Sequence, residues 1–175
     1  AVVVAPAEMV DLRETARFTG RLVASQAVSI RARVSGFLEE RLFEEGARVA
    51  AGDTLFVIED DAYEAAVLEA EGSIGSAEAE LRLAEIEVGR TETLVSRDTV
   101  AQSELDRVEA QAGRARGQLA RLEAQRDRAE LDLSYTRIVA PFDGRTGLSA
   151  VDVGDLVTPE LGELVRLTRL DPIFV

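Results

Sequence analysis

The 175-residue sequence predicts a mixed α and β fold in which a small β-sandwich is split by a long antiparallel α-helical hairpin. Residues 61–133 carry a narrow apolar seam at spacings of three and four, which is typical of knobs-into-holes packing between long helices. Segments rich in β-formers and interrupted by glycine flank the seam at residues 27–60 and 134–167. Because neither segment is able to bury its own apolar face, we expect the two to pack together as halves of one sandwich that clamps the base of the hairpin.

Further strands are predicted at the two ends of the sequence. Residues 8–24 alternate loosely and are rich in β-formers, which indicates one or two strands. Residues 170–175 resemble the start of a strand and end on an apolar Ile-Phe-Val. We therefore expect residues 1–26 and 168–175 to be strands of a second, incomplete β domain of a longer protein.

The two sandwich halves repeat one pattern. Each half has two glycines ten residues apart, and these pairs are Gly36 with Gly46 and Gly144 with Gly154. We interpret all four as glycines that the backbone conformation of tight turns requires. An apolar run closes each copy, at residues 55–58 and 164–167. After the first run, Asp61 and Glu64 predict a capping box at the start of the first helix.

The hairpin has a definite register. The seam positions of the first arm are Val67, Ala70, Ile74, Ala77, Leu81, Ala84, Val88, Thr91 and Val95, and those of the second arm are Ala101, Leu105, Val108, Ala112, Ala115, Leu119, Leu122, Arg126, Ala129 and Leu133. Seam positions equidistant from Asp98 pair across the two arms, which predicts a short tip near residues 96–100. Arg126 is expected to lay its aliphatic stem over the seam and keep its guanidinium in water.

Composition excludes several classes of function. The net charge of −13 argues against a nucleic-acid partner, which would need clustered positive charge. The sequence contains no His, Cys or Lys, so it lacks the ligands of the usual zinc, copper and iron sites and the lysine of a Schiff base or Walker A loop. Acidic clusters at residues 39–45 and 60–61 offer paired carboxylates, but we interpret them as turn, cap and rim residues. The sequence therefore predicts no enzyme, no metal site and no cofactor.

Four motifs around the hairpin carry a resemblance to a known family. They are VSGFLEERLFEEGARVAAGDTL at 34–55, APFDG at 140–144, VGDLV at 153–157 and LDPIFV at 170–175. In this order they resemble the periplasmic adaptor, or membrane fusion, proteins of tripartite efflux and secretion systems. The closing LDPIFV is most similar to adaptors of resistance-nodulation-division (RND) pumps.

The resemblance implies a lipoyl-like β-sandwich, with residues 1–26 and 168–175 as edge strands of an incomplete β-barrel. It also implies a non-enzymatic subunit in the periplasm, attached to the inner membrane by an N-terminal anchor that lies outside this sequence. The implied partners are an inner-membrane RND transporter, an outer-membrane channel and further copies of the adaptor arranged in a ring. Two alternatives stay open: an adaptor of an ATP-driven exporter, and a coiled-coil scaffold without a transport role. A biotinyl or lipoyl carrier would need a modifiable lysine, which this sequence lacks.

The family's tip motif for channel docking is an Arg, a Leu four residues on and a Ser seven further. Arg90 and Leu94 match the first two positions, and Ala101 stands where the serine is expected. Ser103, with Asp106 three residues later, is predicted to begin the second helix instead.

A second stripe accompanies the seam in the first arm. Leu83, Ile86, Arg90 and Leu94 recur at helical spacing but lie off the seam, so the hairpin's own packing does not require them. We hypothesise that this stripe contacts another helix, either of a neighbouring adaptor or of the channel. The alternative is stray surface apolarity, which is common in proteins.

Overall fold

The computed structural model describes residues 1–7, 9, 17 and 19–174. In this part of the chain the elements are β1 (Val23–Ile30), β2 (Gly36–Arg41), β3 (Arg48–Val49), β4 (Thr54–Ile58), α1 (Asp61–Val95), α2 (Gln102–Ser134), β5 (Arg137–Val139), β6 (Gly144–Thr146), β7 (Leu156–Val157) and β8 (Val165–Phe174). The predicted mixed fold, a β-sandwich split by a helical hairpin, is confirmed.

The sandwich consists of two four-stranded antiparallel sheets, with strand orders β1-β8-β6-β3 and β5-β4-β2-β7. Each sheet takes two strands from before the hairpin and two from after it. The halves therefore do not form separate layers, as two repeated units would suggest, but exchange strands. This interleaving closes the sandwich around the point where the two helices enter and leave.

The core draws on both halves of the sequence. Leu38, Leu55 and Phe56 from the first half and Val157, Leu164 and Leu167 from the second are almost fully buried and belong to one apolar cluster. Phe43 packs edge-on against Phe56 with ring centroids 5.1 Å apart. Burial of this apolar surface is what holds the two halves together across the intervening helices.

The backbone conformation requires glycine at only two of the four repeated positions. Gly46 and Gly154 have φ values of 77° and 95°, where a side chain would be strained. Gly36 and Gly144 have no positive φ, and a Cβ there would lie 2.6 Å from Cγ2 of Ile58 and 2.9 Å from the carbonyl oxygen of Thr168, respectively. The interpretation of these two as turn glycines was wrong, because close packing between strands is what excludes a side chain.

The base of each helix is bonded to the sandwich. The hydroxyl of Tyr63 in α1 donates to the carbonyl of Ser35 at 2.7 Å. Just after α2, the amide of Ile58 donates to the carbonyl of Thr136 at 2.9 Å, and the guanidinium of Arg33 lies 4.8 Å from the ring centroid of Tyr135. The sandwich therefore fixes the direction in which the hairpin leaves it.

The hairpin seam follows the heptad pattern closely. Every predicted seam residue of α1 and α2 is buried or half-buried, with Ala77, Ala84 and Val108 among the most buried. Ala101 is the exception, because it is exposed and precedes α2. Arg126 is half-buried, and its guanidinium donates to the carboxylate of Asp127 at 2.6 Å.

Both helices begin without the predicted side-chain caps. The residue before α1 is Asp60, whose carbonyl accepts from the amides of Tyr63 and Glu64 at 2.9 Å, so the expected capping box at Asp61 was wrong. The prediction that Ser103 begins the second helix was also wrong, because α2 starts at Gln102. Both helix starts are exposed, so water is able to satisfy the amides that a cap would otherwise bond.

The predicted N-terminal strands lie mostly outside the described residues. Of the stretch 8–24, residues 8, 10–16 and 18 are not described, and the first strand begins at Val23. β1 and β8 pair from Ile30 with Val165 to Val23 with Phe174, and the register shifts between Ala24 and Gln26. The assignment of residues 1–26 and 168–175 to a β-barrel domain stays a prediction. Within the described residues, no helix has the length and apolarity that crossing a bilayer requires.

Candidate functional site

The tip of the hairpin is closed by backbone bonds at the end of α1. The amide of Thr99 donates to the carbonyl of Leu94 at 3.0 Å, and the amide of Asp98 donates to the carbonyl of Val95 at 2.9 Å. This pair of bonds is a Schellman motif, which requires a left-handed residue just past the helix. Asp98 supplies it with a φ of 55°, so the chain folds back at the residue from which the sequence register was counted. Asp is one of the few residue types other than Gly that tolerate this conformation.

A shallow apolar groove runs along the exposed face of α1 just below the tip. Its walls are formed by Ile86, Gly89, Arg90, Thr93 and Leu94. Ile86 and Leu94 are 53% and 41% exposed, although both are large apolar side chains. Gly89 contributes no side chain, and a Cβ built there would meet nothing within 4 Å. The groove is therefore open to solvent and largely apolar.

The polar groups of the groove differ in their availability. The Thr93 hydroxyl donates to the carbonyl of Gly89 at 2.9 Å, so the helix backbone already uses it. Arg90 forms no ion pair with any residue that the structure describes. Its guanidinium is thus free to bond a carboxylate or carbonyl of another molecule. The planar guanidinium presents paired N–H donors, which suit such oxygen acceptors.

The structure brings together three of the predicted site residues and separates the others. Ile86, Arg90 and Leu94 line one groove. Leu83 is 63% exposed and lies nearer the sandwich, in a second depression that α1 shares with α2 residues such as Arg114. Ala101 and Ser103 are exposed on the other arm and line neither depression. A role of any of these residues in docking stays a prediction.

Gly89 and Thr93 are the groove residues that the sequence interpretation missed. Gly89 lies three residues after Ile86, and Thr93 lies three residues after Arg90, so helical spacing placed them on the same face. A search for large apolar side chains passes over them, because one has no side chain and the other bonds its own helix. The available signal was a glycine inside a helix and off the seam, at a position where packing within the hairpin does not require a glycine.

Electrostatic pairing near the tip is local and exposed. In the first turn of α2, Arg107 donates to both carboxylate oxygens of Glu104, the shortest bond being 2.7 Å. This hydrogen bond is the main cause that lowers the pKa of the Glu104 carboxyl and raises the pKa of Arg107. The pair lies on α2 and does not line the groove on α1.

An acidic cluster at the base of α1 has a simpler explanation than ligand binding. Carboxylate oxygens of Asp60, Asp61 and Glu64 lie within 4.8 Å of one another, and the latter two are exposed. All three sit at the start of a helix, where the positive end of the helix dipole favours negative charge. The cluster is therefore accounted for by helix electrostatics.

Comparison with known proteins identifies relatives over most of the chain. Residues 26–163 match the family model described as RND MFP, barrel-sandwich hybrid domain. The chain is 40% identical over 158 residues to the efflux pump periplasmic linker BepF of Brucella suis biovar 1 (strain 1330), covering 90% of this chain and 38% of that protein. It is 31% identical over 165 residues to the multidrug efflux pump subunit AcrA of Escherichia coli (strain K12), covering 94% of this chain and 42% of the relative.

Solved structures share the fold at lower identity. MacA from Actinobacillus actinomycetemcomitans superposes with a TM-score of 0.72 at 20% identity, over 87% of this chain and 52% of that one. ZneB from Cupriavidus metallidurans superposes with a TM-score of 0.60 at 18% identity, over 85% of this chain and 64% of that one. The chain thus spans about two fifths of the length of the curated relatives BepF and AcrA (38% and 42%). Its fold is that of MacA and ZneB.

Proposed function

Because this chain belongs to the family of RND membrane fusion proteins, we propose that it is the sandwich and hairpin portion of a periplasmic adaptor. The complete protein would link an inner-membrane RND transporter to an outer-membrane channel in an exporter of drugs or other small molecules. It would act in the periplasm, attached to the inner membrane by an N-terminal anchor, and several copies would associate around the transport path. The adaptor itself would have no catalytic role, since the transporter supplies the energy.

The observation that carries this proposal is the distance between the groove and the sandwich. The two helices have 35 and 33 residues. At about 1.5 Å per residue, such a hairpin reaches on the order of 50 Å from its base. A rod of this length, with its exposed apolar groove next to the tip, suits a protein that bridges two separated partners. A carrier domain or a globular enzyme has no comparable use for it.

The groove supplies the chemistry of a docking site at the far end. Leu94 and Ile86 offer apolar surface that α1 does not bury against α2. Arg90 offers a guanidinium that has no ion-pair partner among the described residues. A helix of a channel that presents a small residue together with a backbone carbonyl or a side-chain carboxylate would fit both features. Ala101 departs from the family's serine, so we propose that docking depends on the α1 groove rather than on that position.

Transport by the intact protein in Gram-negative cells tests the proposal. A strain that lacks this adaptor should regain resistance when the protein is supplied, and Leu94→Asp should abolish the gain because it places a charge in the apolar groove. Leu148→Asp is the matched control, since Leu148 is 78% exposed on the sandwich, away from the hairpin. If Leu94→Asp transports as well as Leu148→Asp, the groove is not a docking site.

The identity of the inner-membrane partner separates the RND assignment from its alternative. The intact protein, crosslinked in cells and purified, should bring with it an RND transporter. Recovery of an ATPase in its place would make the chain an adaptor of an ATP-driven exporter. Recovery of neither partner, together with self-association, would favour the scaffold without a transport role.

A further inference from the structure

The first strand of the sandwich forms a long and unprotected sheet edge. β1 is an edge strand of eight residues, VASQAVSI, and it contains no charged residue and no proline. The other edge strands, β3, β5 and β7, have only two or three residues each. Native proteins ordinarily protect an edge by short length, charge, proline or a covering element, because an open edge pairs with other chains. The part of the chain that the structure describes places no strand on the outer side of β1.

Backbone groups of β1 point into the open edge at alternate residues. Ser29 lies opposite Arg166 of β8, whose carbonyl accepts from the amide of Gly147 at 2.7 Å. Gly147 directly follows β6, which lies on the side of β8 away from β1. Opposed residues of an antiparallel pair either bond each other or point their backbone groups away from each other. The amides and carbonyls of Ser29 and, two residues earlier, of Ala27 therefore point toward the open edge.

A groove of about 560 Å³ borders this edge, and we name it the β1 groove. Its opposite wall is β5, the edge strand of the other sheet, so the sandwich is open between its two sheets on this side. Val28, Ile30 and Ile138 line the groove and are buried or half-buried, which makes its floor apolar. Because both walls are strands, the groove suits an occupant that is itself extended.

The rim of the β1 groove is positively charged. Arg31, Arg33 and Arg137 line it and are exposed, and no acidic residue belongs to the lining that the structure describes. None of these arginines forms an ion pair with a described residue. Glu163 accepts a hydrogen bond from the hydroxyl of Ser29 but does not line the groove. In a chain of net charge −13, this local excess of positive charge favours an acidic occupant.

These features together favour an extended acidic segment. An added strand would bond the outward amides and carbonyls of β1, which is the principle of β-strand addition. Side chains of a strand alternate between two faces, so one set would cover the apolar floor while the other set reaches the arginines. The guanidinium presents planar, paired donors that match a carboxylate. A small inorganic anion would use the arginines but leave the apolar floor and the edge of β1 uncovered.

We propose that the β1 groove binds an extended segment of another protein in which acidic and apolar residues alternate. The segment adds to the sheet as a strand beside β1. Its apolar side chains lie over Ile30 and Ile138, and its carboxylates pair with Arg31 and Arg137. The β1 groove lies on the sandwich, at the base of the hairpin, so this surface goes beyond the docking site at the tip and does not depend on it.

Binding of a synthetic peptide to the purified intact protein tests the chemistry of the segment. A fluorescent peptide of about seven alternating glutamate and valine residues matches the length of β1. Its anisotropy should rise on titration with the protein, and a lysine and valine peptide should bind about tenfold more weakly. A glutamate and proline peptide is the matched control, because it keeps the charge but lacks the amides that a strand needs. Equal binding of this control, or no binding of the glutamate and valine peptide, would overturn the proposal.

Charge reversal in the protein tests the place of binding. Arg31→Glu with Arg137→Glu reverses the rim and should weaken binding of the glutamate and valine peptide about tenfold. Arg48→Glu with Arg145→Glu is the matched control, because these exposed arginines lie opposite each other on β3 and β6, toward the far edge of the same sheet. This control should bind the peptide within about twofold of the wild type. Equal losses in the two double variants would overturn the proposal, since binding would then follow net charge.

Proline in β1 tests the backbone pairing. Ala27→Pro removes an amide that points toward the open edge, so the sandwich should stay folded while peptide binding falls about tenfold. Thermal unfolding checks the fold of this variant. The rim variants change only exposed side chains, so they decide the proposal if Ala27→Pro does not fold. A folded Ala27→Pro variant that binds the peptide as the wild type does would overturn strand addition at β1.

Discussion

The carbonyl of Leu94 accepts a hydrogen bond from the amide of Thr99 at 3.0 Å, while the side chain of the same leucine stays 41% exposed. The bond that ends α1 therefore also fixes the residue that closes the apolar groove. The tip turn and the groove are parts of one unit, because a change in the turn would shift the last turn of α1. This link makes the turn residues relevant to the proposed docking even where they do not line the groove.

The left-handed residue of the tip gives the first prediction. Asp98→Val should destabilise the protein by about 1–2 kcal/mol, because a β-branched side chain is strained at the φ of 55° that this position adopts. Asp98→Gly should leave stability within about 0.5 kcal/mol of the wild type, since glycine accepts this conformation at the cost of a more flexible unfolded chain. Thermal unfolding provides the measurement, with Arg97→Val as the matched control at the neighbouring position. Equal losses for Val at 97 and 98 would contradict the account of the turn.

Close strand packing gives the second prediction. Gly36→Ala should destabilise the sandwich by about 1–3 kcal/mol, because the new Cβ would lie 2.6 Å from Cγ2 of Ile58. Gly144→Ala should behave in the same way, since its Cβ would lie 2.9 Å from a backbone oxygen that is unable to move aside. Denaturant unfolding at equilibrium measures both changes. A loss below about 0.5 kcal/mol at both positions would show that the strands are farther apart than described.

Two glycines on the exposed surface of α2 give the third prediction. Gly113→Ala and Gly117→Ala should each raise the free energy of unfolding of the isolated chain by up to about 1 kcal/mol, because alanine favours the helix and has open space. Ala120→Gly, on the same helix, should lower stability by a similar amount. A loss of stability in both alanine variants would show that the space beside these two glycines is not open.

Ion pairing at the start of α2 gives the fourth prediction. Arg107 lowers the pKa of the Glu104 carboxyl in the folded state, mainly through the hydrogen bond between them. Because the folded pKa lies below the unfolded one, the pair stabilises the fold above the unfolded pKa and loses this effect as the pH falls through the folded pKa. Titration of Glu104 by NMR should place its pKa below the ordinary value, and Arg107→Gln should return it to that value. An unchanged titration in the variant would show that the pair is not formed in solution.

The hairpin was predictable from the sequence because one physical signal dominates it. A seam repeating every seven residues determines both the buried side and the partner positions, so residues such as Ala84 and Val108 were placed correctly by spacing alone. Predictions from local sequence failed where solvent or contacts between distant residues determine the structure. Ser103 looks like a helix cap, but the exposed tip does not need one, and α2 starts before it.

The sandwich was predictable in kind but not in detail. Alternation and glycines indicate strands, yet nothing local shows that Gly36 approaches Ile58 or that the two halves exchange strands. Such contacts join residues far apart in sequence, and many pairings satisfy the same pattern. The groove was half predictable, because Ile86 and Leu94 stand out by hydrophobicity whereas Gly89 is informative only once its surroundings are seen to be empty.

The most direct test of the adaptor account uses one cysteine at the end of the groove. The chain has no cysteine of its own, so Leu94→Cys in the intact protein gives a single reporter in this segment. Crosslinking in intact Gram-negative cells, followed by mass spectrometry, should yield a product that contains an outer-membrane channel. Leu148→Cys on the sandwich should yield no such product. Crosslinks from Leu94→Cys only to further copies of the same protein, with the channel present in the cells, would contradict the account.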